Sequence, residues 1–466
     1  MVSMKKAFDS FGNVVESSPY AVLDPVIKST FSARQNRIVV GSSKSKPTDQ
    51  DLIYIGKVFE SCPTTNMLGA DVWLDVAFPH VIYITGTRGS GKSFDLGVLI
   101  EGISELTSNS TVQREVEPIA SILIDTQNQF WTLKHPPSDK VPEHVDQIAS
   151  LESWKISPNA LKDAKLWVPR GTQSLLGTEV AFALRPRDVS LGDWCMLLGQ
   201  EVYSAQGHIL RSALGRLAGS DFDVNDLISD VRRDSNWIGV ADSSRNAVIY
   251  KLEDYAASQL FDRNGLTFEQ LVQDGSCNVL MLRELSDVDK SLVTAIVARM
   301  LFHRMGEYHV KRKLARFQNL PDPQPQLPSR CWLIIDEAHV VAGKGDASPA
   351  RDALVEYVKR GRDAGLSLVL ATQQPSAVDD RILSQVNLSF NHRLTFQSDV
   401  NAAISRIPTK SVGQLRSGGV TIGDFGDILR YLDSGDCFIG DHSTSRTILV
   451  KIRPRITAHG GYSPSR

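Results

Sequence analysis

VIYITGTRGSGKSF, residues 81–94, places Gly86, Gly89 and Gly91 directly behind a β-branched run and follows them with Lys92 and Ser93. Glycine at this density suits neither a core strand nor a helix interior, because each one has extra backbone freedom to lose on folding. It suits a loop that wraps a polyphosphate with backbone N–H groups, and 86–93 fits G-x-x-x-x-G-K-[ST]. On that reading Gly86, Thr87, Arg88, Gly89, Ser90, Gly91, Lys92, Ser93 and Phe94 form the nucleotide cradle. Lys92 reaches the terminal phosphates and Ser93 ligates Mg²⁺. A helix with its apolar spacing over 94–106 turns its positive end toward the anion. The expected ligands are ATP and Mg²⁺.

The chain of 466 residues is long enough for two or three domains, and 42% hydrophobic with 22% charged residues is ordinary globular composition. A net charge of −2 provides no global positive field for nucleic acid, so any DNA contact must come from a local patch. No run approaches the roughly 18 apolar residues that cross a bilayer, and the first residues have no apolar core for export. The five cysteines, at 62, 195, 277, 331 and 437, form no Cys-x-x-Cys pair and read as reduced, mostly buried thiols. The expectation is a cytoplasmic protein with no membrane partner.

Residues 1–50 read as a flexible segment and 51–79 as a reduced N-terminal β segment with Gly and Pro breaks. Strand signals at 120–124, 278–282, 331–335 and 367–371 alternate with helical spacing at 289–315 and 350–363, and further strands are expected near 392–397, 436–440 and 446–453. Strands alternating with helices imply a mainly parallel sheet covered on both faces, an α/β RecA-like P-loop core. From 145 to 275 the pattern is helical, as in 191–219 and 245–261, and reads as an α-helical insertion. The core then spans 80–144 and 276–453, with a C-terminal tail over 454–466.

A phosphate-loop enzyme needs a second half to its site, and CWLIIDEAH (331–339) supplies it. Asp336, at the carboxyl end of a buried strand, is placed to hold the metal, and Glu337 to polarise the attacking water. SLVLATQQP (367–375) ends in polar groups at the tip of an adjacent strand, where Gln373 can sense the γ-phosphate. A two-lobed helicase, which the letters DEAH suggest, is not the expectation: the chain after Ala371 is shorter than the roughly 150 residues a second lobe needs. A single core usually obtains its transition-state cation from a neighbouring copy. Arg362 in VKRGRDAGL (358–366) is the first candidate for that cation, and Arg360 its competitor.

HVIYITGTRGSGKS (80–93), ASILIDTQNQFW (120–131), WLIIDEAHVVAG (332–343) and VKRGRDAGLSLVLATQQPSAVDDRILSQVNLSFNHRL (358–394) together resemble the HerA/FtsK-type P-loop ATPases, and within them the HerA branch. The resemblance implies a homohexameric ring that hydrolyses ATP to move or unwind double-stranded DNA alongside a nuclease. It matches Lys92, Ser93, Asp336 and Glu337 to the family's phosphate and metal residues, Gln373 to the polar sensor, and Arg362 to the trans-acting arginine. Two departures stand out. The family's D-x-x-G-E-[YF] stretch is DTQNQF here, without the Gly or the Glu, and only 52–78 resembles the front barrel that docks a nuclease. A nuclease or an NAD-consuming effector, as in anti-phage systems, is therefore the expected partner class. Lys344 and Arg351, on the loop after Asp336-Glu337, are the candidate DNA contacts. The alternative is an ATP-bound ring scaffold that activates an effector with little motor activity; a small-molecule kinase leaves ATQQP and GRDAG without a role.

Overall fold

The computed structural model describes residues 31–32, 37–42, 49–61, 66–104, 111–237, 239–345, 348–408, 415–417, 420–422 and 425–460. Its strands in chain order are β1 (Phe31–Ser32), β2 (Arg37–Val40), β3 (Leu52–Ser61), β4 (Asn66–Asp75), β5 (Val81–Thr85) and β6 (Gln113–Arg114). They continue with β7 (Ala120–Asp125), β8 (Lys165–Pro169), β9 (Val180–Phe182), β10 (Cys277–Met281), β11 (Cys331–Ile335) and β12 (Leu366–Thr372). The last are β13 (Leu388–Asn391), β14 (Leu415–Ser417), β15 (Val420–Ile422), β16 (Asp436–Asp441) and β17 (Arg446–Ile452).

One sheet takes all of these but the β14–β15 hairpin, in the order β1-β2-β4-β3-β17-β16-β13-β5-β12-β11-β7-β10-β8-β9, with β6 beside β3. From β13 to β9 every neighbouring pair is parallel. Parallel strands are buried on both faces, which is why CWLII and LSLVLAT are apolar at almost every position rather than alternating. Successive residues still feed opposite cores. Leu333 and Ile335 pack into the larger apolar cluster, Trp332 and Ile334 into the cluster under the phosphate-loop helix. The fold is mixed α/β with a mostly parallel central sheet.

Several elements differ from the sequence expectations. Within 1–50, Arg37–Val40 is a fully buried strand paired in parallel with β4; residues 1–30 lie outside the described residues. The 51–79 segment forms two ten-residue strands that continue the main sheet through β17. The 145–275 stretch is helical over about half of its length and also contributes β8 and β9 to the sheet edge, and its helices from Leu191 onward share one apolar core with the rest of the domain. The helix expected over 191–219 is two helices, Leu191–Leu197 and Ala205–Leu217, each started by a serine that caps it: Ser190 accepts from the Asp193 N–H and Ser204 from the Gly207 N–H. The strand expected near 392–397 runs four residues earlier, because Leu388–Asn391 pairs with β5 and leaves His392 and Arg393 at its tip. Cys195, Cys277, Cys331 and Cys437 are buried and free; Cys62 lies outside the described residues.

Candidate nucleotide-binding site

β5 ends at Thr85, whose hydroxyl donates to Asn391 Oδ1 at 3.0 Å, and the chain enters the glycine loop above the sheet. Gly89 (φ 75°) and Gly91 (φ 128°) occupy backbone regions that a side chain disfavours. Three of the loop's carbonyls are engaged within the chain. Thr87 O accepts from Lys92 Nζ at 3.0 Å and Ser90 Oγ at 2.8 Å. Gly89 O accepts from Ser434 Oγ at 3.2 Å, and Ser90 O from the Gly435 N–H at 3.3 Å. With negative oxygens tied back, the open end of the helix Lys92–Ile103 faces the loop; its N-cap, Gly91, has no side chain to cap it. Uncapped N–H groups at a helix start bind anions. Ser93 and Phe94 are half-buried in the first turn, and Arg88 is exposed at the loop tip.

Lys92 is only 4% exposed. Burial pulls its pKa below the usual lysine value, and the charges of Glu337, Asp336 and Asp95 oppose that shift. Asp336, at the end of β11, is 1% exposed and its Oδ1 has no hydrogen-bond partner. Burial raises its pKa well above the ordinary carboxylate range, with Glu337 and Asp125 adding to the shift and Lys92 opposing it. A buried carboxylate oxygen without a donor is costly unless a cation meets it, so this donor set fits a hard divalent ion such as Mg²⁺.

Glu337 adopts φ 53°, left-handed for a non-glycine residue, and begins the short helix Ala338–Val341. That conformation costs on the order of 1 kcal/mol or more and persists only where surrounding contacts impose it. Those contacts come from the tip of β12. The Gln373 side-chain amide donates to Glu337 Oε1, and the Gln373 backbone N–H reaches Oε2 at 3.4 Å. His339 Nδ1 stands 3.4 Å from the same Oε2 and 3.0 Å from Thr372 Oγ1; burial depresses its pKa and the Glu337 charge opposes the shift. Asp125, at the tip of β7, accepts the N–H of Gln127 at 3.1 Å and of Phe130 at 2.8 Å. Burial nevertheless raises it to about 6.

Lys92, Asp336, Glu337 and Gln373, named from sequence, thus converge at the carboxyl ends of β5, β11 and β12. Arg362 does not join them. It is exposed in the turn Gly361–Ala364 at the opposite end of β12, roughly 20 Å of strand away from Gln373. Arg360 is also exposed and pairs with Glu356 at 3.2 Å. Lys344 pairs with Asp380 at 3.0 Å, while Arg351 is mostly buried, 3.7 Å from Asp379, and donates to Gly345 O at 2.8 Å. The loop therefore presents these two cations already matched by acids, which differs from the free basic loop expected. Thr372 and Asp125 stand out from sequence only as polar groups at strand ends, and His339 and the pair Asp95–His392 carry no role there. Apart from Asp95, which lies in the helix Lys92–Ile103, their signal was available only as polar residues at or just beyond strand tips, in DEAH, LAT, LIDT and FNH.

Residues 53–301, over half the chain, match the family described as Helicase HerA, central domain. The chain belongs to the HerA central-domain family. The match includes the phosphate loop and ends before Asp336. Among curated relatives, DNA double-strand break repair helicase HerA of Pyrococcus furiosus is 23% identical over 354 residues, 68% of this chain and 56% of that protein. The protein of the same name from Sulfolobus acidocaldarius is 23% identical over 209 residues, 45% of this chain and 38% of that protein. The chain thus spans 38% to 56% of the length of these HerA relatives. VirB4 of Thermoanaerobacter pseudethanolicus shares the fold, with a TM-score of 0.52 at 14% identity over 86% of this chain and 96% of that one. The HerA-family chain accordingly has the RecA-like P-loop ATPase fold, which agrees with the strand order and with the loop after β5.

Proposed function

We propose that this chain is a ring-forming ATPase that binds ATP with Mg²⁺ and hydrolyses it to drive double-stranded DNA translocation or unwinding, together with a nuclease or other effector protein. The observation that carries the ATPase reading is the convergence of a buried Lys92, the partnerless Asp336 Oδ1 and the tethered Glu337 at one end of the sheet. On ATP binding, Lys92 leaves the Thr87 carbonyl for the β- and γ-phosphates, and the loop N–H groups take the rest of the polyphosphate. Ser93 Oγ and Asp336 would hold Mg²⁺, which would supply positive charge against the phosphates. Glu337 accepts the proton of the attacking water, and Gln373 fixes the carboxylate for it. Arg362 lies too far along β12 to act on its own chain's nucleotide, so it is assigned to the site of a second copy, as in a hexamer.

The tether from the sensor to the candidate DNA loop is short. Past Gln373, the Ala377 carbonyl accepts from the Lys344 N–H at 2.6 Å, and Gly343 bridges to Val378. A shift of Gln373 on loss of the γ-phosphate would be passed to Lys344 along this connection.

A second reading, an ATP-bound scaffold that activates an anti-phage effector, is favoured by one observation: Lys344 and Arg351 already face Asp380 and Asp379. Measuring ATP turnover with and without linear duplex DNA separates the two. Motor function predicts stimulation of at least about fivefold that falls steeply with salt, as phosphate contacts require. Equal rates with and without DNA would favour the scaffold.

A further inference from the structure

Beneath the phosphate loop lies a buried pair, Asp95 and His392, to which no step of the hydrolysis above is assigned. His392 follows β13 and is 0% exposed; Asp95 is in the first turn of the helix Lys92–Ile103 and equally hidden. His392 Nδ1 is 2.9 Å from the Asp436 carbonyl, and Nε2 is 2.8 Å from Asp95 Oδ2. A carbonyl can only accept, so Nδ1 carries a hydrogen. The Nε2···Oδ2 contact is a hydrogen bond in a water-excluded setting, which tolerates little displacement.

The ring is also the floor of the glycine loop. A Cβ on Gly91 would sit 3.1 Å from His392 Cε1, and one on Gly86 2.8 Å from His392 Cβ. The next residue continues the support, with Arg393 O accepting the Thr87 N–H at 2.9 Å. From one side chain, therefore, β16 is tied through Asp436 O, the phosphate-loop helix through Asp95, and the two glycines of the loop by contact.

We infer that His392 and Asp95 are positioning residues that hold the phosphate loop and the first turn of its helix in the geometry that binds the polyphosphate. The inference rests on the ATP-binding reading above. Because the pair touches the loop from below and faces neither Glu337 nor Gln373, its loss weakens nucleotide binding while leaving the hydrolytic step in place.

The test is nucleotide affinity and steady-state kinetics of full-length variants, using a fluorescent ATP analogue with Mg²⁺, with thermal melting to establish folding. His392→Ala and Asp95→Ala should each raise Kd and KM about tenfold or more while kcat at saturation stays within about threefold. Asp95→Asn, whose side-chain N–H can donate to Nε2 while Nδ1–H stays on the Asp436 carbonyl, should stay within about threefold of the wild type in Kd. If His392→Ala does not fold, the Asp95→Ala and Asp95→Asn comparison decides alone. Folded variants with unchanged Kd, a fall in kcat with Kd retained, or Asp95→Asn as weak as Asp95→Ala would overturn the positioning role. So would stoichiometric zinc in the purified protein, since Cys437 lies within 4.8 Å of the pair and the three groups would then be metal ligands. A wild-type chain that binds no ATP would instead overturn the nucleotide reading itself.

Discussion

Glu337 shows how a single backbone angle is set by contacts from elsewhere. Its left-handed conformation turns the carboxylate toward β12, where Gln373 holds both oxygens and His339 stands beside one of them. Glu337→Gln keeps the size and can still hydrogen-bond Gln373, but it cannot accept a proton. We expect ATP binding within a few-fold of wild type and turnover reduced by at least about a hundredfold, checked by nucleotide titration and phosphate release. Gln373→Ala should lower turnover with a smaller effect on binding, since it frees the carboxylate and leaves the loop intact. The site was legible in sequence where its residues are close along the chain: 86–94 and 336–337 carry their own spacing. His392 and Asp95 are separated by 297 positions, and Glu337 and Gln373 by 36. Pairing of strands brings such groups together, and no local pattern encodes it.

The phosphate-loop helix is anchored along its length by the segment that follows β17. Glu101, on the helix, faces Arg453 Nη1 at 2.8 Å and Arg455 Nε at 3.5 Å, and accepts the Thr457 hydroxyl at 2.7 Å; all four side chains are buried. Arg455 fits because Gly97 has no side chain: a Cβ there would lie 2.4 Å from its guanidinium. Glu101→Ala strands two buried guanidinium groups and should cost about 3–5 kcal/mol in denaturant unfolding. Further along, His459 packs edge-on against Phe94 with ring centroids 5.4 Å apart. Burial, then Arg455 and His144, push its pKa down to about 3 from 6.5. A depressed folded value means that its stabilising contribution is fully present above 6.5 and is lost as pH falls below that. At pH 5 the loss is about 2 kcal/mol, and His459→Gln should remove that part of the pH dependence in melts at pH 5 and 7.5. Among the strands, β7, β10, β11 and β12 were plain in sequence because both faces are buried. β9 was not: its burial is confined to Phe182, with Val180 and Ala181 exposed at the sheet edge, so neither a continuous apolar run nor an alternation marks it.

At the scale of the whole molecule, the sheet separates two ends. The carboxyl ends of β5, β11 and β12 carry Lys92, Asp336, Glu337 and Gln373, while Arg362 sits exposed at the start of β12, with no carboxylate paired to it among the described residues. Among those residues no helix is long and apolar enough to cross a membrane. A chain arranged this way offers Arg362 outward, at the opposite end of the sheet from its own phosphate loop. The account predicts that Arg362→Ala and Lys92→Ala are each nearly inactive alone, the first for want of the transition-state cation and the second for want of the phosphate ligand. The decisive measurement mixes the two variants, after subunit exchange, and follows phosphate release. Recovery of a substantial fraction of wild-type turnover is predicted, because an intact phosphate loop in one chain then meets an intact Arg362 in its neighbour. No recovery in verified mixed assemblies, or full activity of Arg362→Ala by itself, would contradict a site shared between copies.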